Sequence, residues 1–251
     1  MQEDRVQGWN TSKRLPIVFC LDVSPSMGWK EGKNSSSIEL LNAAVSNFIE
    51  ELKHDVKARS SAEVAFVTFS TNIEMETEFE SINKIKIPVF SAVEKGGTQL
   101  SKAVIRSIDK IEERRNQLDN SEISYYAPFM VLVTDGNPDR NDDKEKYNKA
   151  LEMVKSHCDS HIGASEIIVP FIIGVGDHID EETLNNYSKG FTKGYFPIKG
   201  NASKVKYQFN KVFQIISSST RKSIHLNSSA EEVLKTIKKD MDDFLDDLSA
   251  Q

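Results

Sequence analysis

Four short segments of this 251-residue chain are apolar at nearly every position, where alternate positions would be usual: residues 16–23, 64–69, 129–134 and 167–173. An alternating strand covers a core with one face only. A strand apolar on both faces must be covered twice, and the common solution is a parallel sheet with helices on each side. The intervening stretches have helical period. Leu41, Val45, Phe48 and Leu52 share a face over 38–57, and Val104, Ile108 and Ile111 do so over 100–115. Tyr147, Leu151, Val154 and Cys158 follow over 144–160, a short helix over 181–187, and Val205, Phe209, Val212, Phe213 and Ile216 mark a further helix. Residues 73–79 alternate and read as an edge strand, and 195–198 as a last short strand. The expectation is an α/β, Rossmann-like, doubly wound and mostly parallel sheet over 15–219, with helices on both faces.

Residues 1–14 are a polar segment, and 220–251 form a second region. Here 223–226 reads as a short extended piece. Ser229 and Glu232 then have the spacing of a capping box. Val233, Leu234, Ile237, Met241, Phe244, Leu245 and Leu248 follow on one face of an acidic amphipathic helix. That face either packs back on the parent domain or, over 230–248, serves a second partner or self-association.

Formal charge is −6, and 230–251 alone holds seven acids against three lysines. The remainder is near neutral, which speaks against nucleic acid and anionic membrane surfaces as partners. No apolar run approaches the length needed for membrane insertion. The polar N-terminus and the two cysteines fit a cytoplasmic protein. Cys20, inside the first strand, is expected to be an inert core thiol.

In a doubly wound sheet, ligands bind beyond the carboxyl ends of the strands. Asp22, Ser24 and Ser26 leave the first strand at alternate spacing. Thr98 follows a Gly-Gly turn, and Asp135 leaves the strand at 129–134. Taken singly, each is an ordinary cap or turn residue. Together they offer two carboxylates, three hydroxyls, no sulfur and no imidazole, a donor set for a hard cation. Trp29 stands where it could rim such a crevice as a partner contact, or simply fold over the domain edge. His157 and His161 have the i, i+4 spacing of a metal pair, yet no glutamate follows the first, and a structural helix is favoured. A metal-dependent hydrolase or phosphatase built on Asp22 and Asp135 is the enzymatic alternative. Position 24, where a general acid would stand, is a serine. The chain has no phosphate-loop pattern and no Gly-x-Ser-x-Gly elbow.

Asp22-x-Ser24-x-Ser26, Thr98 and Asp135, in this order over three loops, resemble the metal-ion-dependent adhesion site of von Willebrand factor type A domains. Gly96-Gly97-Thr98 resembles the family's Gly-x-Thr turn, and Ile173-Gly174-Val175-Gly176-Asp177 its later strand and turn. The resemblance covers about residues 15–219. It implies a Rossmann-like sheet with one antiparallel edge strand, and usually Mg2+, with Mn2+ or Ca2+ as substitutes. It further implies coordination by Ser24, Ser26 and Thr98, charge from Asp22 and Asp135, and an open position for a partner's Asp or Glu. The layout is similar to stand-alone bacterial members associated with tellurite-resistance and stress operons. That implies a non-enzymatic interaction module or signalling scaffold, with an assembly subunit acting through the C-terminal helix as a further reading.

Overall fold

The computed structural model describes residues 12–30, 35–135, 144–158, 167–177, 179–189 and 194–249. Its strands are β1 (Leu15–Asp22), β2 (Ala62–Phe69), β3 (Ile73–Glu76), β4 (Glu80–Ser81), β5 (Phe129–Thr134), β6 (Val169–Val175) and β7 (Phe196–Ile198). They form one sheet in the order β3-β2-β1-β5-β6-β7, with β4 beside β3 along the same edge of β2. β1, β2, β5, β6 and β7 are parallel, while β3 and β4 run antiparallel to β2. The doubly wound sheet with an antiparallel edge is therefore as expected.

The helices are α1 (Ser37–His54), α2 (Val56–Ser61), α3 (Leu100–Asn120), α4 (Lys144–Cys158), α5 (Glu181–Ser188), α6 (Ala202–Leu226) and α7 (Ala230–Ser249). Successive side chains of a strand point to opposite faces, and β1 shows both. Phe19 packs against Phe48 of α1 and Phe213 of α6, whereas Cys20 lies against Ser107 of α3. One layer thus holds α1 and α6, with α2 and α7 packed on α6. The other holds α3, with α4 against it and α5 against α4 and β6. Every residue of β1, β2, β5 and β6 is buried. Cys20 is a free thiol, pushed up to about 12 mainly by its burial, which suits the inert role.

Two expectations need correction. The helix expected over 38–57 breaks at Asp55, whose extended backbone (φ −90°, ψ 115°) ends α1 while its carboxylate accepts from the Lys57 and Ala58 N–H groups and caps α2. The extended piece expected at 223–226 is instead the last turn of α6, a 25-residue helix that runs unbroken through 219–220. Its buried face here is built from Thr220, Ser223 and Ile224, small polar residues that hide the helical period from an apolar count. α6 ends at Asn227 in the left-handed conformation (φ 49°), a common C-terminal stop.

The capping box of α7 is present, with the Ser229 N–H on Glu232 and the Glu232 N–H on Ser229. Val233, Leu234, Ile237, Met241 and Phe244 are buried against the domain, and the Phe244 ring meets Phe196 of β7 at 5.8 Å. At roughly 1.5–3 kcal/mol per buried aliphatic or aromatic side chain, this contact stabilises strongly. The apolar face of 230–248 thus packs back on its own chain, leaving mainly acidic side chains outward. Among the described residues, no helix is long and apolar enough to cross a membrane.

Candidate metal centre

The chain runs from β1 outward to β2, then returns to place β5 on the other side of β1. The carboxyl ends of β1 and β5 therefore flank the point where the winding reverses, which is where a crevice opens. Asp22 is the last residue of β1, and Asp135 immediately follows β5.

Asp22 is fully buried. Its Oδ1 accepts from the Ser24 N–H at 2.8 Å, closing an Asx-type turn, and its Oδ2 accepts from the Thr134 hydroxyl at 2.6 Å. That turn sends the chain into a short 3-10 helix, Pro25–Gly28, for which Ser24 is the N-cap residue without a capping side-chain bond. The Ser24 hydroxyl instead meets that of Ser26 at 3.1 Å, and the Ser26 hydroxyl donates to Asp135 Oδ2. Four of the five expected residues thus form one connected cluster: Asp22, Ser24, Ser26 and Asp135.

Thr98, the fifth, is buried at the neighbouring strand end. The Gln99 N–H donates to the Ser70 carbonyl at 2.7 Å, and the Gly97 N–H donates to the Thr71 hydroxyl at 2.7 Å. Ser70 directly follows β2, whose Phe69 is in register with Asp22. The segment also reaches the β1 loop: the Val93 N–H donates to the Val23 carbonyl at 2.8 Å, and Gly28 is so close to Ala92 that a Cβ there would stand 2.8 Å from its methyl.

Burial, and then the charge of Asp135, push Asp22 up to about 7, against hydrogen bonds from Ser24 and Thr134 that pull it down. Two carboxylates that oppose each other's ionisation beside three hydroxyls are the arrangement a cation relieves. Among the described residues, no three His, Cys, Asp or Glu side chains gather as a metal cluster. The donors of the cluster are carboxylate and hydroxyl oxygens, a set that fits a hard, oxygen-preferring ion.

Sequence reasoning did not assign a role to Thr134. Its signal was available, since the last residue of a buried strand directly before an acid is oriented by the strand itself. Ser70 and Thr71 had no such signal. Trp29 follows the 3-10 helix and is 59% exposed. His157 bonds within its own helix, its Nδ1 lying 2.9 Å from the Met153 carbonyl and from Ser156 Oγ. His161 lies outside the described residues, as do Gly136, Asn137 and Pro138.

Compared with curated protein sequences, the chain has no match. Among solved structures, a point mutant of the PilB minor pilin from Streptococcus sanguinis is similar at TM-score 0.56 and 13% identity, covering 90% of this chain and 65% of the pilin. The pilus adhesin SpaC from Lactobacillus rhamnosus GG is similar at TM-score 0.55 and 14% identity, covering 82% of this chain and 31% of the adhesin. The chain thus spans less than two thirds of either protein. Proximal thread matrix protein 1 from the mussel byssus, in a structure with a zinc-occupied adhesion motif, gives TM-score 0.46 at 14% identity, over 82% of this chain and 47% of that one. These likenesses concern the fold. The von Willebrand factor type A domain profile matches residues 17–211, well over half of the sequence, and the chain belongs to that family.

Proposed function

We propose that this domain is a metal-dependent protein-binding module. A divalent cation, Mg2+ by the hardness of the donors and replaceable by Mn2+ or Ca2+, is held by Asp22, Ser24, Ser26, Thr98 and Asp135. When bound, the cation supplies an electrophilic open position for a carboxylate. The chain's own residues do the rest. Asp22, fixed by the Ser24 amide and the Thr134 hydroxyl, supplies buried negative charge. The serine pair and Asp135 form the rim that a partner's Asp or Glu meets, with Trp29 offering an adjacent apolar contact. The observation that carries this reading is the cluster itself: the Asp22 and Asp135 carboxylates joined through Ser24 and Ser26 at the reversal point of a type A sheet.

The hydrolase alternative is weaker on the same geometry. Both oxygens of Asp22 already accept hydrogen bonds, it is wholly buried, and the residue two positions on is a serine. A nucleophile needs exposure and a nearby acid or base. We place the module in the cytoplasm as a signalling scaffold, in keeping with its two buried free thiols. Any second partner of 230–248 would meet the acidic outer face, because the apolar one is occupied by the domain.

The test is isothermal titration of metal-stripped protein with Mg2+ and Mn2+, beside Asp22→Ala and Asp135→Ala. One site in the parent, lost in both variants, supports the reading. Titrations indistinguishable among the three proteins sink it.

A further inference from the structure

The hydroxyl at position 98 belongs to a segment with little side-chain substance. Gly96 and Gly97 precede it, and Gly96 has φ +155°, where a side chain is disfavoured. Such a stretch is flexible unless something external fixes it. Here the fixing is specific and comes from a different part of the sequence, the turn between β2 and β3. The Thr71 hydroxyl accepts from the Gly97 N–H at 2.7 Å, one residue before Thr98. The Ser70 carbonyl accepts from the Gln99 N–H at 2.7 Å, one residue after it. A Cβ at position 96 would stand 2.9 Å from Thr71 Oγ1 and 3.4 Å from Ser70 Oγ, so the bare glycine lets the turn close on the segment. The turn is in turn anchored: the Ser70 N–H donates to the Asn72 carbonyl at 2.9 Å, and the Ser70 hydroxyl donates to Glu74 of β3.

We infer that Thr71 is a positioning residue of the metal centre: through its hydroxyl it holds the Gly97 amide, and with it the Thr98 side chain, at the place where the cation is bound. This rests on the metal-binding reading above. The two bonds bracket Thr98 in the chain, so losing one lets the residue swing about the other. Thr71 itself is exposed. It contributes no buried surface that would explain a large effect on folding, which separates a positioning role from a structural one.

The experiment compares Mg2+ affinity, by calorimetry on metal-stripped protein, for the parent, Thr71→Val, Thr71→Ser and Thr98→Ala, with the melting temperature of each metal-free protein measured in parallel. Valine keeps the shape and deletes the acceptor, while serine keeps the acceptor. The expected result is that Thr71→Val weakens Mg2+ about tenfold, the scale of losing an outer-shell partner. Thr71→Ser should bind nearly as the parent does, and Thr98→Ala should bind more weakly than Thr71→Val. Metal-free melting should be unchanged in both Thr71 variants. If Thr98→Ala weakens binding while Thr71→Val does not, the positioning role is wrong and the metal reading stands. If Thr71→Val lowers metal-free melting in step with affinity, Thr71 is merely structural and the inference fails. If Thr98→Ala and Asp22→Ala bind as the parent does, the metal reading itself falls and takes this inference with it.

Discussion

The protein treats its acidic side chains in two opposite ways, at two places little more than one strand apart. At the outer edge, Glu76 of β3 accepts from Arg106 Nε at 2.8 Å and from Lys110 Nζ at 3.0 Å, and Lys110, its side chain only 2% exposed, also reaches Glu78 at 3.3 Å. Deeper along β2, Glu63 takes both Nε and Nη2 of Arg114 at 2.9 Å each. Each of these acids, from the buried Glu63 to the part-exposed Glu76, has a base. At the carboxyl ends of β1 and β5, Asp22 and Asp135 are linked through Ser24 and Ser26, and the charge of Asp135 acts on Asp22. The contrast appears in the ionisation: bonds from Arg106 hold Glu76 down at about 2, while burial and Asp135 push Asp22 up to about 7. At the edge the charge that holds an acid comes from arginine and lysine, and in the crevice a second carboxylate's charge acts on Asp22. On the proposed reading, that is where a cation's charge is used.

The first way to break this comparison is to spoil the balanced edge. Lys110→Met keeps the buried stem and removes the ammonium, leaving Glu76 with Arg106 alone. It should destabilise the protein by about 2–3 kcal/mol in urea unfolding; a neutral or stabilising result would mean that packing alone holds the edge. The second is to fill the proposed cation site. Mg2+ at about a hundred times its dissociation constant should stabilise the parent by about 2.7 kcal/mol, through binding to the folded state only. Asp22→Asn should show no such gain. A third sharpens the contrast without metal. Asp22→Asn removes a buried charge and its repulsion with Asp135, at the expense of one acceptor, so metal-free stability should rise by about 1 kcal/mol. The same kind of neutralisation thus carries opposite signs at the two places, and a loss at both would end the argument.

What could be read from the sequence divides along the same line. The sheet was legible because strands buried on both faces leave unbroken apolar runs, and Asp22, Ser24 and Ser26 because alternate spacing at a strand end orients side chains alike. Asp135 was legible by its place directly after such a run. Residues that act through contacts distant in sequence were not. Thr71 reaches Gly97 across 26 positions, and Lys110 reaches Glu76 across 34; neither belongs to a periodic pattern. Lys110 stands off the face that Val104, Ile108 and Ile111 share. The break at Asp55 was hidden because α2 resumes the helix after one extended residue. The end of α6 was hidden because serine and threonine occupy its buried face.

The smallest expected effect concerns acid. Glu76 ionises in the folded protein at about 2, below its ordinary 4.5, with the Arg106 hydrogen bond as the leading cause. A carboxylate depressed in this way contributes stability that is fully present above about pH 4.5 and is lost as the pH falls toward 2. Glu76 and Arg106 are both a quarter or more exposed, so solvent screening reduces the contribution to about 1 kcal/mol. Unfolding measured at pH 6, 4 and 3 should show parent stability declining, with Glu76→Gln less stable at pH 6 and the gap narrowed to about half or less by pH 3, closing only toward pH 2. Adding 1 M salt at pH 6 should narrow the same gap, because the partners are only partly shielded from water. If the gap between parent and variant is constant across this range, the edge is held by the shape of Glu76 and not by its charge. The balanced half of the comparison would then rest on Glu63 with Arg114 and Arg14.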